Sequence, residues 1–131
     1  MERSEAGLSP SACWDLLATA TVGRLALSVR ALPMIVPVRY LVDDASVAIS
    51  LGRPGLPLTT VHEAVVAFAV DAIDEGSATG WMVQMQGRAR LAPSFGSTDG
   101  PRPDDVDQVV RLVPVTVTGH RFTLEPFEPL R

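Results

Sequence analysis

The sequence contains no lysine, and all eleven of its basic residues are arginine. A Schiff base between the protein and a substrate carbonyl is therefore excluded, because that chemistry requires a lysine amine. Any bound oxyanion must be held by arginine guanidinium groups or by backbone N–H groups. The 131-residue chain has a formal net charge of −4. This charge argues against nucleic acid as a partner, because phosphate-backbone binding needs a basic surface.

Cysteine, histidine and long apolar runs are scarce as well. Cys13 is the single cysteine, and the two histidines lie far apart, so we expect no disulfide within the chain and no metal site. No apolar run approaches the roughly 20 residues of a membrane-spanning helix. The first ten residues, MERSEAGLSP, lack the character of a signal peptide. These absences predict a cytoplasmic protein that makes no membrane contact.

The motifs of covalent catalysis are also missing. The sequence has no Gly-x-Ser-x-Gly turn, and neither histidine has an evident catalytic partner. His62 is interpreted as a surface residue or one with satisfied hydrogen bonds rather than a catalytic base, and Cys13 as a small core residue. Asp71 and Asp74 are predicted to lie in turns, where carboxylates cap and solvate. No catalytic side chain can be named from the sequence.

Alternating apolar residues, in contrast, are abundant and indicate β-strands. Residues 9–20 form the exception, because their apolar side chains recur with helical spacing behind Ser9 as N-cap and Pro10 at the first helical position. Shorter helical segments are predicted at 56–64 and, as one or two turns, at 104–112. The predicted strands cover residues 22–29, 34–42, 46–51, 65–70, 81–91 and 113–124, the last as one strand or as two pieces broken at Gly119.

Six strands with two or three short helices predict a single mainly β domain spanning residues 1–131, built as a small antiparallel barrel with peripheral helices. The run VVAFAV (65–70) is apolar at every position and predicts a central strand covered on both faces. Pro37 interrupts the second strand and demands an edge, a bulge or a ligand-facing position, because proline has no N–H to donate.

Three features outside the core pattern are candidates for binding. Arg39 follows the apolar run MIVPV, so it either emerges at a strand end or pairs with an anion. Trp81 heads a strand and either packs in the core or stacks on a flat ring. The loop GRPGLPL (52–58) follows a strand and either cradles a phosphate or forms a simple turn.

Taken in order, several stretches resemble the pyridoxamine 5'-phosphate oxidase-like family of flavin-nucleotide-binding split β-barrel proteins. These stretches are LLATATVGRLAL, PMIVPVRY with its acidic hairpin, VVAFAVD, TGWMVQMQGRARL and VRLVPVTVTGHRF. The resemblance covers roughly residues 9–122. It implies a six-stranded antiparallel split barrel, a homodimer, and FMN bound in clefts that two subunits share. It also implies oxidoreductase chemistry on a small organic substrate, carried out through the flavin.

The resemblance assigns cofactor-binding positions to this sequence. The backbone of Val36, Pro37 and Val38 would run along the isoalloxazine ring of the flavin. Trp81 and Gln84 would lie near that ring, either in the same subunit or in its partner.

A second group of positions would hold the cofactor phosphate. Arg39 would face the phosphate, and the hydroxyl of Ser50 would meet it at the end of the third strand. Arg53 and Leu58 belong to the loop that follows, which the family uses as its phosphate cradle.

This loop departs from the family pattern. Family members show P-G-x-K-L, with the lysine as a principal phosphate contact, whereas this chain has PGLPL with Pro57 in its place. Proline also removes a backbone N–H donor. Three readings therefore stay open: an FMN-dependent oxidoreductase, a degenerate barrel dimer that binds FMN weakly or not at all, and a reductase that uses the deazaflavin coenzyme (F420), whose longer anionic tail tolerates a different pocket.

Overall fold

A computed structural model describes residues 4–51, 61–92 and 109–129 of the chain, with side chains from residue 7 onward. This part of the chain contains no helix with the length and apolarity needed to cross a membrane. Its elements are β1 (Ser4–Gly7), α1 (Pro10–Leu17), β2 (Val22–Val29), β3 (Leu32–Asp43), β4 (Ser46–Ser50), β5 (Val65–Asp74), β6 (Thr79–Ala92) and β7 (Val109–Thr123).

Strands β2 to β7 close into a ring in which all the pairings are antiparallel. Neighbouring strands follow the order β7-β4-β3-β2-β5-β6, and β6 pairs back with β7. Strand β1 adds a short pairing to the last residues of β7. The predicted six-stranded antiparallel split barrel is therefore confirmed. One of the predicted short helices, α1, is present in the described part of the chain.

The ring is weakest between β2 and β5. These strands pair only through residues 24–26 and 67–69, whereas β5 and β6 pair along the whole of β5. The first residues of β2 consequently have no ladder partner on β5. A gap in the barrel wall opens at this point.

The interior of the ring holds a closely packed apolar core. In β2 the buried residues alternate with exposed ones, as the period of two predicts. The ring of Phe68 meets Tyr40 edge to face, with centroids 5.1 Å apart. The largest fully buried side chains in the described part of the chain are, in order of volume, Phe68, Leu17, Leu25, Ile49, Met85, Leu112, Val47, Val61, Val70, Val83, Val110 and Cys13.

Helix α1 packs on the barrel through Cys13 and Leu17, both of which are buried. The Tyr40 hydroxyl donates a hydrogen bond to the backbone carbonyl of Leu17. A Cβ at Gly119 would lie 2.7 Å from Cys13 Sγ, so glycine is required where the helix approaches β7. Burial raises the pKa of the Cys13 thiol and of the Tyr40 phenol.

Two predictions about strands are wrong. Strand β5 is covered on one face only, because Val66, Phe68 and Val70 are buried whereas Val65 is 68% exposed. The sequence conceals this alternation because the outward-facing Ala67 and Ala69 are apolar but small.

The second error concerns residues 109–112, which belong to β7 and pair with β4 and β6 rather than forming helical turns. The β-branched residues Val109 and Val110 favour the strand. Gly119 does not break β7, which is continuous from Val109 to Thr123. Residues 104–108 and most of the predicted helix 56–64 lie outside the described residues.

The N-cap of α1 gives a first testable prediction. The Ser9 hydroxyl accepts a hydrogen bond from the backbone N–H of Ala12 at 3.1 Å. Ser9→Ala removes this bond, so we expect the free energy of unfolding to fall by about 1 kcal/mol in urea titrations. Ser28→Ala, at an exposed strand position, is the matched control and should change it by less than about 0.5 kcal/mol. Equal effects of the two substitutions would contradict the capping role.

Candidate functional site

Strand pairing brings two of the predicted phosphate-binding residues together. Arg39 on β3 lies directly opposite Ser50 on β4 and, on its other side, opposite Val22 on β2. Directly opposed residues share one face of a sheet, with Cβ atoms about 4.5–5.5 Å apart. Tyr40, the next residue of β3, is buried in the core, so Arg39 and Ser50 face outward. We call Arg39 and Ser50 the anion row.

The guanidinium group of Arg39 is exposed and makes no ion pair or hydrogen bond with the described residues. Two other arginines on the outer surface are paired with carboxylates. Arg111 contacts Asp43 at 2.9 Å, and Arg90 contacts Glu63 at 3.2 Å. Arg39 therefore keeps its hydrogen-bond donors available for an anionic ligand.

A groove of about 160 Å³ lies where β2 and β5 diverge. Five of its seven lining residues have no polar side chain, and the other two, Arg24 and Asp71, carry charges of opposite sign. The groove adjoins the anion row, because Val22 lines the groove and also stands opposite Arg39. The full lining is Val22, Gly23, Arg24, Ala69, Val70, Asp71 and Met82.

The predicted ring-binding segment runs along an edge of the sheet beside this groove. Among the described residues, β3 pairs with β4 only from Arg39 onward, whereas the preceding residues pair with β2 alone. Pro37 is exposed at this edge, where its missing N–H costs no ladder bond. Val38 is buried and Val36 is partly buried, packed on the core. The segment therefore offers its backbone and the Pro37 ring to the exterior.

The structure places Trp81 and Gln84 on opposite faces of β6. Trp81 is partly buried against the core, opposite Ala72 and Arg121. Gln84 faces outward beside Ala69, a residue of the groove. Of these two residues, therefore, Gln84 lies on the same face as the anion row of its own chain, and Trp81 does not. The other two predicted contacts, Arg53 and Leu58, lie outside the described residues.

Sequence reasoning missed both charged residues of the groove. Asp71 was expected in a turn, a prediction that is wrong because it lies within β5 opposite Met82. The sequence pattern places Arg24 at one of the polar, outward-facing positions of the strand 22–29. Its proximity to Pro37 and Ala69 follows from the pairing of three strands. No local pattern in the sequence predicts how β2 is aligned with β3 and β5.

An exposed apolar patch lies on the same outer face. Ala26 on β2 stands between Ile35 and Ala67, and Val65 is two residues from Ala67. Ile35 is 70% exposed and Val65 is 68% exposed. We call Ile35, Ala26, Ala67 and Val65 the outer apolar patch. Contiguous apolar surface of this kind is typical of a protein interface.

Comparisons with known proteins agree on one family. A family model described as pyridoxamine 5'-phosphate oxidase matches residues 9–121. A search of curated proteins finds no significant match. The structure of the FAD binding protein from Mycobacterium smegmatis has 27% sequence identity and a TM-score of 0.73, with coverage of 91% of this chain and 99% of that one.

Two further solved structures share the fold. An FAD-binding protein from Mesorhizobium loti has 21% identity and a TM-score of 0.73, covering 94% of this chain and 100% of its own. The FAD and heme binding protein from Mycobacterium smegmatis has 13% identity and a TM-score of 0.66, covering 98% of this chain and 77% of its own.

Proposed function

The chain belongs to the pyridoxamine 5'-phosphate oxidase family, and from this membership we propose that it is an oxidoreductase that binds a flavin nucleotide. One observation carries the proposal: Arg39 makes no ion pair or hydrogen bond within residues 4–51, 61–92 and 109–129, and it stands opposite Ser50 on an outward face. A guanidinium and a hydroxyl suit a phosphate group, because both donate hydrogen bonds to its oxygens. The donor set therefore fits the first phosphate of a flavin nucleotide.

When bound, the flavin would supply hydride transfer to or from a small organic substrate. The chain itself would bind and orient the cofactor. In this assignment Arg39, Ser50 and Arg53 hold the phosphate, with Leu58 in the same loop. Residues 36–38 lie along the ring, and Trp81 and Gln84 approach it from one or the other subunit.

FMN is the first candidate for the cofactor. FAD is the second, because of the charge on its phosphates. A terminal phosphate such as that of FMN carries a charge of about −1.5 to −2 at pH 7, whereas each phosphate of the FAD diphosphate carries a single charge. Arg39 supplies a single positive charge to the anion row, so a singly charged phosphate also matches this row, and FAD is the second candidate after FMN. The FAD binding protein of Mycobacterium smegmatis, at 27% identity, is consistent with this choice.

The experiment is to purify the protein, record its absorbance between 350 and 500 nm, and titrate it with FMN, FAD, riboflavin and the deazaflavin coenzyme. We expect a flavin spectrum or saturable binding of FMN or FAD. Riboflavin, which has no phosphate, should bind at least about tenfold more weakly. If neither FMN nor FAD binds, flavin use is contradicted. If the deazaflavin coenzyme alone binds, the result supports an F420-dependent reductase. If none of the four ligands binds, it supports a degenerate barrel dimer.

We further propose that the protein is a homodimer whose subunits complete each other's cofactor cleft. The groove of one chain, at about 160 Å³, is smaller than the roughly 300–1,000 Å³ of typical ligand pockets. The outer apolar patch lies beside it and remains uncovered in one chain. A second copy seated on this face would bury the patch and enclose the groove.

Dimerisation through the patch gives a second prediction. Ile35→Glu places a charge in the proposed interface, so we expect a shift from twice the chain mass to the monomer mass in sedimentation, together with weaker flavin binding. Leu41→Glu is the control, because Leu41 is exposed on the same strand but about six residues away, roughly 20 Å. A dimer that survives Ile35→Glu at micromolar concentration would contradict this interface.

A further inference from the structure

The two charged residues of the groove do not satisfy each other. Arg24 is opposite Ala69, and Asp71 is two residues further along β5 on the same outward face. Neither side chain forms an ion pair with any described residue. A guanidinium donor and a carboxylate acceptor thus stand on the two sides of the groove, both available to a ligand.

The other side chains that line the groove, among them Val22, Ala69 and Met82, are apolar. A ligand that fits must be flat or narrow. Its edge must offer an acceptor to Arg24 and a donor to Asp71. The pyrimidine edge of an isoalloxazine ring has this pattern, because the C2 carbonyl, the N3–H group and the C4 carbonyl follow one another as acceptor, donor and acceptor.

We propose that Arg24 and Asp71 bind the pyrimidine edge of the flavin: Arg24 donates to the C2 carbonyl oxygen, and Asp71 accepts from N3–H. The assignment rests on the proposed flavin function. The assignment agrees with the position of the anion row, because Val22 lines the groove and stands directly opposite Arg39 on the neighbouring strand. The ring and the phosphate of one nucleotide would therefore occupy adjoining parts of the same outer face.

The assignment of Asp71 is tested with FMN and N3-methyl-FMN, which lacks the N3–H donor. The wild-type protein should bind N3-methyl-FMN at least about tenfold more weakly than FMN, as expected for a lost hydrogen bond to a charged group. In Asp71→Ala this discrimination should fall below about threefold. Asp44→Ala, at an exposed hairpin position, should keep the wild-type discrimination. The Asp71 contact is overturned if the wild type and Asp71→Ala discriminate equally.

The assignment of Arg24 has a different readout. The two-electron-reduced flavin carries negative charge at N1 and the C2 carbonyl when N1 is deprotonated, so a guanidinium at that position favours reduction. Arg24→Gln should therefore lower the midpoint potential of the bound flavin and weaken FMN binding. Arg30→Gln, an exposed arginine at the β2–β3 turn, should change neither quantity. An unchanged potential in Arg24→Gln would remove Arg24 from the model.

These outcomes separate the two proposals. If the wild-type protein binds no flavin, the proposed function fails and this inference fails with it. If it binds FMN and tolerates N3-methylation, only the assignment of the groove fails. Arg24 and Asp71 are both exposed, so the variants should fold, and thermal unfolding of each variant checks this point.

Discussion

Replacing Arg39 by alanine is expected to weaken FMN binding by about ten- to a hundredfold while leaving riboflavin binding unchanged. The reason is that Arg39 supplies the guanidinium of the anion row, opposite Ser50, and this group has no partner among the residues that the structure describes. A hydrogen bond to a charged group contributes about 1.5–3 kcal/mol, and each 1.4 kcal/mol corresponds to a factor of ten in affinity. Calorimetric titration of the wild type and Arg39→Ala with both ligands measures the effect.

Two controls make this result specific. Arg30→Ala removes another exposed arginine from the same hairpin and should leave FMN affinity unchanged. Arg39→Lys keeps the charge but loses the forked donor geometry, so its loss should be smaller than that of alanine. If Arg39→Ala weakens riboflavin binding as much as FMN binding, Arg39 acts on the ring or on the fold rather than on the phosphate.

The anion row illustrates how far the sequence alone leads. Arg39 and Ser50 are each named by resemblance, and the strand pattern places Arg39 in the predicted strand 34–42 and Ser50 near the end of the next one. Their direct opposition depends on the β3–β4 register, which the two-residue turn at Asp44 and Ala45 sets. Because that hairpin is local in the chain, this part of the site could be predicted.

The groove could not be predicted in the same way. Arg24 and Asp71 come together only because β2 pairs with β5 across a long separation in sequence, and because that pairing stops after three residues. Hydropathy also misrepresents β5, since Ala67 and Ala69 are apolar but face outward and are only partly buried in one chain. The sequence thus predicts which strands form, whereas the split in the barrel follows from non-local register.

The core beneath the groove gives the second large effect. Phe68 is 1% exposed and packs edge to face on Tyr40. Phe68→Ala removes this contact and leaves a cavity inside the ring, so we expect the free energy of unfolding to fall by about 3–5 kcal/mol in urea titrations. Ile73→Ala, in the same strand at a 45% exposed position outside the outer apolar patch, is the matched control and should cost much less than Phe68→Ala.

The fit between Phe68 and Gly23 tests whether this core also shapes the groove. A Cβ at Gly23 would lie 2.5 Å from Cζ of Phe68, so Gly23→Ala should cost about 1–3 kcal/mol by overpacking. With Phe68→Leu the ring that meets this Cβ is absent, and Gly23→Ala should then cost less than in the wild type. Gly23 lines the groove, so a shift of β2 in the single variant should also reduce FMN affinity, and Phe68→Leu should partly restore it. Additive stabilities in the double variant would show that Gly23 is needed for another reason, such as its approach to the Ala69 carbonyl at 3.0 Å.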